Sequence, residues 1–154
     1  MRRLPQALLA VTALAFAVLE PVAAQSGQEQ RGQAFVARLS TVPIIADEQV
    51  TVSGRGTATA VLEGRTLTVT GTFEGQRTPA TVARLHLAPR AARGPAFADL
   101  KASSGTSGTI AGTVELTPQQ LQALERRSLY IQLHSQKAPD GNLWGWLLPQ
   151  ETKK

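Results

Sequence analysis

Between Thr66 and Phe73 the chain reads TLTVTGTF, with threonine at every even-numbered position and Leu67, Val69, Gly71 and Phe73 between them. A period of two belongs to a strand, because successive side chains leave opposite faces of the pleat. One face here is apolar and the other hydroxylated, so the strand covers a core on one side and meets water on the other. Threonine suits such a half-exposed pleated surface. The same alternation recurs along the chain. Phe35, Ala37 and Leu39 alternate with Val36, Arg38 and Ser40, and Ala58, Ala60 and Leu62 with threonines and Val61. Ile110, Gly112, Val114 and Leu116 alternate with Thr109, Ala111, Thr113 and Glu115. Glycine or proline stands at nearly every junction. This spacing predicts an all-β fold, an antiparallel, Greek-key-like β-sandwich or barrel.

One segment departs from that period. LTPQQLQALERR, 116–127, offers Thr117 as an N-cap, Pro118 at the first helical position and Gln120 to complete a capping box. Leu116 and Leu121 stand where a hydrophobic staple forms, and Leu124 continues the apolar stripe. A short connecting helix at about 117–126 is expected, covering part of the core and carrying no chemistry of its own.

The N-terminal residues carry a different message. Arg2 and Arg3 precede an almost wholly apolar run from Leu4 to Leu19, and Val22-Ala23-Ala24 supplies small residues for a signal peptidase. The run is shorter than the roughly 20 residues of a spanning helix. Residues 1–24 are therefore expected to be a cleaved signal peptide, with no stable membrane anchor afterwards and a periplasmic or secreted destination. Residues 25–33 read as a flexible lead-in, 34–148 as the domain and 149–154 as a tail. Loss of Arg2, Arg3 and Glu20 takes the formal charge from +5 to +4. The cations are scattered, and only PRAARG, 89–94, clusters them, so nucleic acid is not an expected partner. The chain has no cysteine, which leaves burial alone to hold the domain.

The order of the pieces carries a resemblance. AFVARLS is followed by GTATAVLEGRTLTVTGTFEG, TPATVARLHLAPRAARGPAFADL, SGTIAGTVELTPQQLQAL and finally LYIQLHSQKAPDGNLWGWL. This succession resembles the CHRD domain, the module repeated in chordin and found singly in many secreted bacterial proteins. The resemblance spans about residues 34–148. The family pattern has His-x-His on the strand matching ATVARLHL, a later histidine, and Gly-Glu-Ile-Arg-Gly near its end. Here the first position of the histidine pair is Arg84 and the second His86; His134 is the later histidine. The terminal motif reads Gly141-Asn142-Leu143-Trp144-Gly145, lacking its glutamate and arginine, and Thr41 precedes Val42-Pro43 where the family has an acidic residue.

The full family pattern is similar in arrangement to the copper site of copper–zinc superoxide dismutases. That similarity implies, as an alternative, a metal-dependent dismutase-like enzyme. A stable copper or zinc site typically takes three or more protein ligands, whereas this chain offers two histidines and a cationic Arg84. No metal and no cofactor are therefore expected. An anion pocket built from Arg84 and His86 with Arg90 or Arg93 is a further possibility. No Gly-x-Ser-x-Gly elbow, paired carboxylates or phosphate loop is legible. The expected function is a non-enzymatic binding or structural module with an extracellular or periplasmic partner, protein or glycan. The growth-factor binding of chordin does not carry over to a lone domain.

Alternation also sets the facing of the candidate binding residues. Arg84 and His86 lie opposite Leu85 and Leu87, while Tyr130, Gln132 and His134 lie opposite Leu129, Ile131 and Leu133. With a loop at 135–141, antiparallel register sets His134 against Asn142, Gln132 against Trp144 and Tyr130 against Trp146. The two histidines are expected to be solvated. Trp144, Trp146 and Tyr130 are expected on the outer face as an exposed strip for a glycan or protein, unless the helix, the lead-in or residues 149–154 cover it. On the exposed reading, Trp144→Ala leaves the fold intact, whereas Leu133→Ala costs about 2–5 kcal/mol.

Overall fold

The computed structural model describes residues 32–43 and 51–151. The expected signal segment, all but the end of the lead-in, and residues 152–154 lie outside the described residues. The elements run β1 (Gln33–Thr41), β2 (Arg55–Glu63), β3 (Thr66–Glu74), β4 (Ala80–Leu87), β5 (Ala96–Ala102), β6 (Gly108–Glu115), α1 (Pro118–Glu125), β7 (Leu129–Ser135), β8 (Ala138–Trp146) and β9 (Leu148–Pro149). Gln33 thus belongs to the first strand rather than to the lead-in. Pro149 is not loose tail either, because Leu148 and Pro149 pair with Val36 and Phe35.

The sheet order is β2-β3-β6-β5-β4-β7-β8-β1, and β1 also pairs with β2. The eight long strands therefore close into an antiparallel barrel. Closure gives each long strand a neighbour on both sides, so little edge is left to template another strand. β4, β5 and β6 form a meander that returns β6 to the side of β3, a Greek-key crossover. The α1 connection then carries the chain from β6 to β7.

Inside the barrel lie the residues that the alternation assigns there: Phe35, Ala37, Leu39, Ala58, Ala60, Leu67, Val69, Phe73 and Ile110 are all buried. Their outward neighbours form cross-strand threonine pairs, with the Thr59 and Thr70 hydroxyls 3.1 Å apart. Small residues let strands approach: a side chain at Gly145 would collide with the carbonyl of Arg38 on β1.

Helix α1 matches its expected chemistry. The Thr117 hydroxyl accepts from the Gln120 N–H, and the Gln120 side chain accepts from the Thr117 N–H at 2.8 Å. The helix closes with Ser128 N–H on the Ala123 carbonyl and Arg127 N–H on that of Leu124, the pairings of a Schellman turn. Leu124 is fully buried, and Leu121 packs against the barrel core. Among the described residues no helix is long and apolar enough to cross a membrane.

One part of the barrel breaks the one-face rule. All seven positions of β7 are buried, as are Gly141 to Gly145 of β8. A strand buried on both faces needs cover on its outer side. That cover creates the candidate site.

Candidate functional site

The outer face of β4, β7 and β8 gathers all seven candidate residues. Register places Tyr130 against both His86 and Trp146, and Gln132 against both Arg84 and Trp144. The expected pairings of Gln132 and Tyr130 with the tryptophans are therefore present. The loop is not the expected 135–141. β7 runs to Ser135 and β8 starts at Ala138, leaving a turn at Gln136-Lys137 and a register shift between Leu133 and Ser135. Held elsewhere, the turn cannot extend as a loop: Gln136 N–H bonds the Pro79 carbonyl and Lys137 N–H the Thr78 hydroxyl. The shift takes up the extra residues, so His134 does not face Asn142 in simple register.

The facing is as expected, but the exposure is not. Tyr130 is 0% and Trp144 7% exposed, and Trp146 is half-buried. The rings form a second apolar cluster with Val42, Val52, Ala88, Ala92 and Ala138. Among the described residues its cover comes from the loop after β4 and from residues flanking 44–50, and the helix contributes none. Tyr130 meets the Trp144 ring edge-on at 5.9 Å and the Trp146 ring at 4.8 Å, while the two indoles lie 4.7 Å apart. Such aromatic geometry adds to the area they bury. Polar handles fix the loop: Trp146 Nε1 donates to the Ala88 carbonyl at 3.0 Å, and Gly94 N–H to the Tyr130 hydroxyl at 3.1 Å.

The histidines are likewise enclosed rather than solvated, His86 being 8% and His134 5% exposed. Burial lowers both pKa values, and the Arg84 charge adds to the effect. His86 Nδ1 lies 2.9 Å from the Gly94 carbonyl and His134 Nδ1 2.7 Å from that of Pro139. A carbonyl only accepts, so each Nδ1 carries the hydrogen and each Nε2 keeps its lone pair. Arg84 turns away to bond Asp99 at 2.9 Å, and Arg93 donates to the Asp140 carbonyl. Of the groups expected in an anion pocket, Arg84 is paired with Asp99, Arg93 is held on backbone, and Arg90 lines a groove that neither Arg84 nor His86 lines. Gln132 Nε2 shares the Asp140 carbonyl, reaching across Gly141, where any side chain would collide with it.

Asn142 stands where the family pattern has glutamate. It is fully buried, accepting from Ser53 N–H and donating to the Ser53 carbonyl, each at 3.1 Å. Both bonds pin the residues after 44–50 to the barrel beside Val52 and Trp144.

A family model for the CHRD domain matches residues 35–147 of this architecture, from the middle of the first strand to the end of the last long one. The chain belongs to the CHRD domain family. No curated protein and no solved structure matches it. The match brackets the eight barrel strands, so the CHRD domain here is the barrel itself.

One accessible feature of this CHRD domain adjoins the aromatic cluster. A groove of about 380 Å³ is lined by Val36, Arg38 and Ser40 of β1, Arg90 and Ala91 of the loop, Trp144, Gly145 and Trp146 of β8, and Leu148. It opens where the ladder beside β1 is interrupted, since β1 pairs with β8 only at Ser40 and Thr41 and with β9 only at Phe35 and Val36. Arg38 and Arg90 are exposed, and among the described residues neither forms an ion pair and no acidic residue lines the groove. Arg38 and Ser40 were beyond sequence reasoning as site residues, because only barrel closure brings β1 beside Trp144. Their one sequence signal was outward facing opposite Phe35, Ala37 and Leu39.

Proposed function

We propose that the chain is an exported, non-enzymatic binding module of the CHRD type, and that its partner is a glycan bearing carboxylate or sulfate groups. The observation that supports this reading is the groove, lined by two arginines without an ion pair among the described residues and by Trp144, Gly145 and Trp146. A planar guanidinium suits a carboxylate or sulfate through paired N–H donors, and indole presents an apolar face with a polar edge. Concavity with a few convergent polar groups is the usual form of a small-ligand site. The reactive-looking side chains support a binding role rather than catalysis. His86 and His134 are buried, with each Nδ1 engaged by backbone. Export rests on Arg2-Arg3, the apolar run and Val22-Ala23-Ala24, and places the mature start at Gln25.

A glycan array probed with the full chain tests the reading, alongside N-terminal sequencing of exported material. Binding is expected to acidic saccharides, and Arg38→Ala or Arg90→Ala should weaken it about tenfold or more, the scale of one charged hydrogen bond. Equal binding to neutral saccharides, or binding untouched by both changes, overturns the proposal.

A further inference from the structure

One seam of the barrel is not laddered along its length. β5 and β6 pair only at Lys101–Ala111 and Ala102–Ile110, whereas β3 and β6 pair without a break from Thr66–Glu115 to Phe73–Gly108. Ser103 N–H donates to the Thr109 carbonyl, and Leu116 N–H to that of Arg65. Alternate residues of an antiparallel strand direct their main-chain groups the same way. Those of Thr113 and Glu115 therefore point toward β5, and those of Gly112 and Val114 toward β3. No ladder pair meets Thr113 or Glu115 from the β5 side. Leu100 leans over Gly112, where any side chain would collide with it, and shuts the seam to that level. Beyond it Ala98 and Val114 turn inward yet are only partly buried, as is Phe97.

Edge strands usually carry a guard against further pairing, such as a bulge, a proline or an unpaired charge. β5 has one. Leu85 faces Ala98 and His86 faces Ala96, which leaves Phe97 as an extra residue that bends the edge. β6 has none. Its ladder to β3 is unbroken, it contains no proline, and its one charge, Glu115, is paired with Arg65. An unguarded edge is a template for one more strand, with main-chain bonds for affinity and alternate side chains for specificity.

The form of the seam selects the strand. At Lys101–Ala111 the ladder closes, so an added strand ends there rather than passing through. Lys101 is exposed at that end and forms no ion pair among the described residues. An ammonium attracts a chain's terminal carboxylate and repels its terminal amine. Because β6 runs away from that point, a tail ending on it lies antiparallel to β6. Its side chain opposite Val114 enters beside Ala98, and an apolar one is favoured there. Residues 25–31 and 152–154 of this chain do not fit: they carry no apolar side chain, and Lys153 and Lys154 would meet Lys101 with like charge. A second copy joined edge to edge would share only this short stretch, far less than the roughly 1,600 Å² of a standard interface.

We propose that the β6 edge binds the C-terminal tail of a partner protein as an added antiparallel strand, with an apolar side chain against Val114 and the carboxylate beside Lys101. The seam lies three strands from the groove by either route round the barrel, so this reading stands apart from the glycan one.

The test adds the acetylated peptide Thr-Thr-Val-Thr-Ala, with a free carboxylate, to the isotope-labelled full chain. Before addition, the Thr113 and Glu115 amides should exchange with solvent about tenfold or more faster than those of Gly112 and Val114. The peptide should slow both and shift their signals. N-methylation of its backbone should abolish binding, and amidation of its carboxylate or Lys101→Ala should weaken binding about threefold. Thr113→Pro should also abolish it, since proline there removes only the donor directed at the seam and spares the ladder to β3. The exchange and N-methylation measurements use the unsubstituted chain, so they decide even where Thr113→Pro does not fold. Thr113 and Glu115 amides as protected as that of Val114 before addition overturn the open edge. Shifts that are absent, or that survive N-methylation, overturn the added strand. An amidated peptide that binds as well as the acid overturns the carboxylate and with it the choice of a chain terminus.

Discussion

The indole N–H of Trp146 donates to the carbonyl oxygen of Ala88 at 3.0 Å, joining the last long strand to the loop that follows β4. One position along that face, Tyr130 receives the Gly94 N–H from the far end of the same loop. The loop between these anchors carries Arg90 over the groove and Ala92 onto the rings. Cover, aromatic cluster and groove are therefore one construction.

Tyr130→Phe tests the second anchor. The ring keeps its packing, but the half-buried Gly94 N–H loses its acceptor. An unmet donor of this kind costs about 1–2 kcal/mol. Urea unfolding should show a lower midpoint with an unchanged slope. An unchanged midpoint would mean that the loop is held by its other anchors, Trp146, Arg93 and the His86 bond to the Gly94 carbonyl.

Leu133→Ala and Trp144→Ala test whether the β7–β8 hairpin is covered on both faces. Leu133 is fully buried inside the barrel and Trp144 is 7% exposed under the outer cover. Both truncations should be costly, about 2–5 kcal/mol for the leucine and about 3–5 for the tryptophan. This reverses the expectation for an exposed strip. Thermal melts of the two variants compare them directly, and a Trp144→Ala melt matching the unsubstituted chain would return the tryptophan to the surface.

Facing was legible from residues alone, whereas exposure was not. The alternation of Leu129, Ile131 and Leu133 with Tyr130, Gln132 and His134 is local, and it held through the whole β7–β8 pairing near Tyr130. What covers Tyr130 is not local. Val42 and Val52 come from the far side of the barrel closure, and Ala88 and Ala92 from a loop whose proline, arginines and glycine read as solvated. The displaced turn has a similar cause. Pro139-Asp140-Gly141 has turn composition, but Thr78 and Pro79 hold Gln136 and Lys137, fixing the reversal earlier. The capping box of α1 was fully legible because every partner lies within four residues.

Arg127→Gly should stabilise the domain. Arg127 ends the Schellman turn of α1 with φ 59°, in the left-handed region. There a Cβ costs about 1–2 kcal/mol, and glycine is the residue that usually fills the position. Against that gain stands the greater chain entropy of glycine when unfolded, about 0.5–1 kcal/mol. The net expectation is a rise of about 0.5–1 kcal/mol in urea unfolding. A fall would show that the Arg127 side chain makes a contribution larger than its backbone strain.

Acid should destabilise the protein through its two buried histidines. His86 and His134 have pKa values lowered from 6.5, chiefly by burial; Arg84 lowers both, Arg93 lowers His86 and His86 lowers His134. Bonds to the Gly94 and Pro139 carbonyls, and Asp140 beside His134, oppose the shift without reversing it. In the unfolded chain both imidazoles return to the ordinary value, so below it that state binds more protons than the folded one. Stability then falls with falling pH. The histidine contribution is fully present above about pH 6.5 and is lost progressively as pH drops toward the lowered folded values. Unfolding free energies measured between pH 7.5 and 5 should therefore be flat at first and then decline. In His134→Gln the decline should be shallower, since only His86 remains to take up a proton on unfolding. An identical decline in that variant would place the linked proton elsewhere, and His134 would not be the enclosed neutral imidazole that its contact with Pro139 describes.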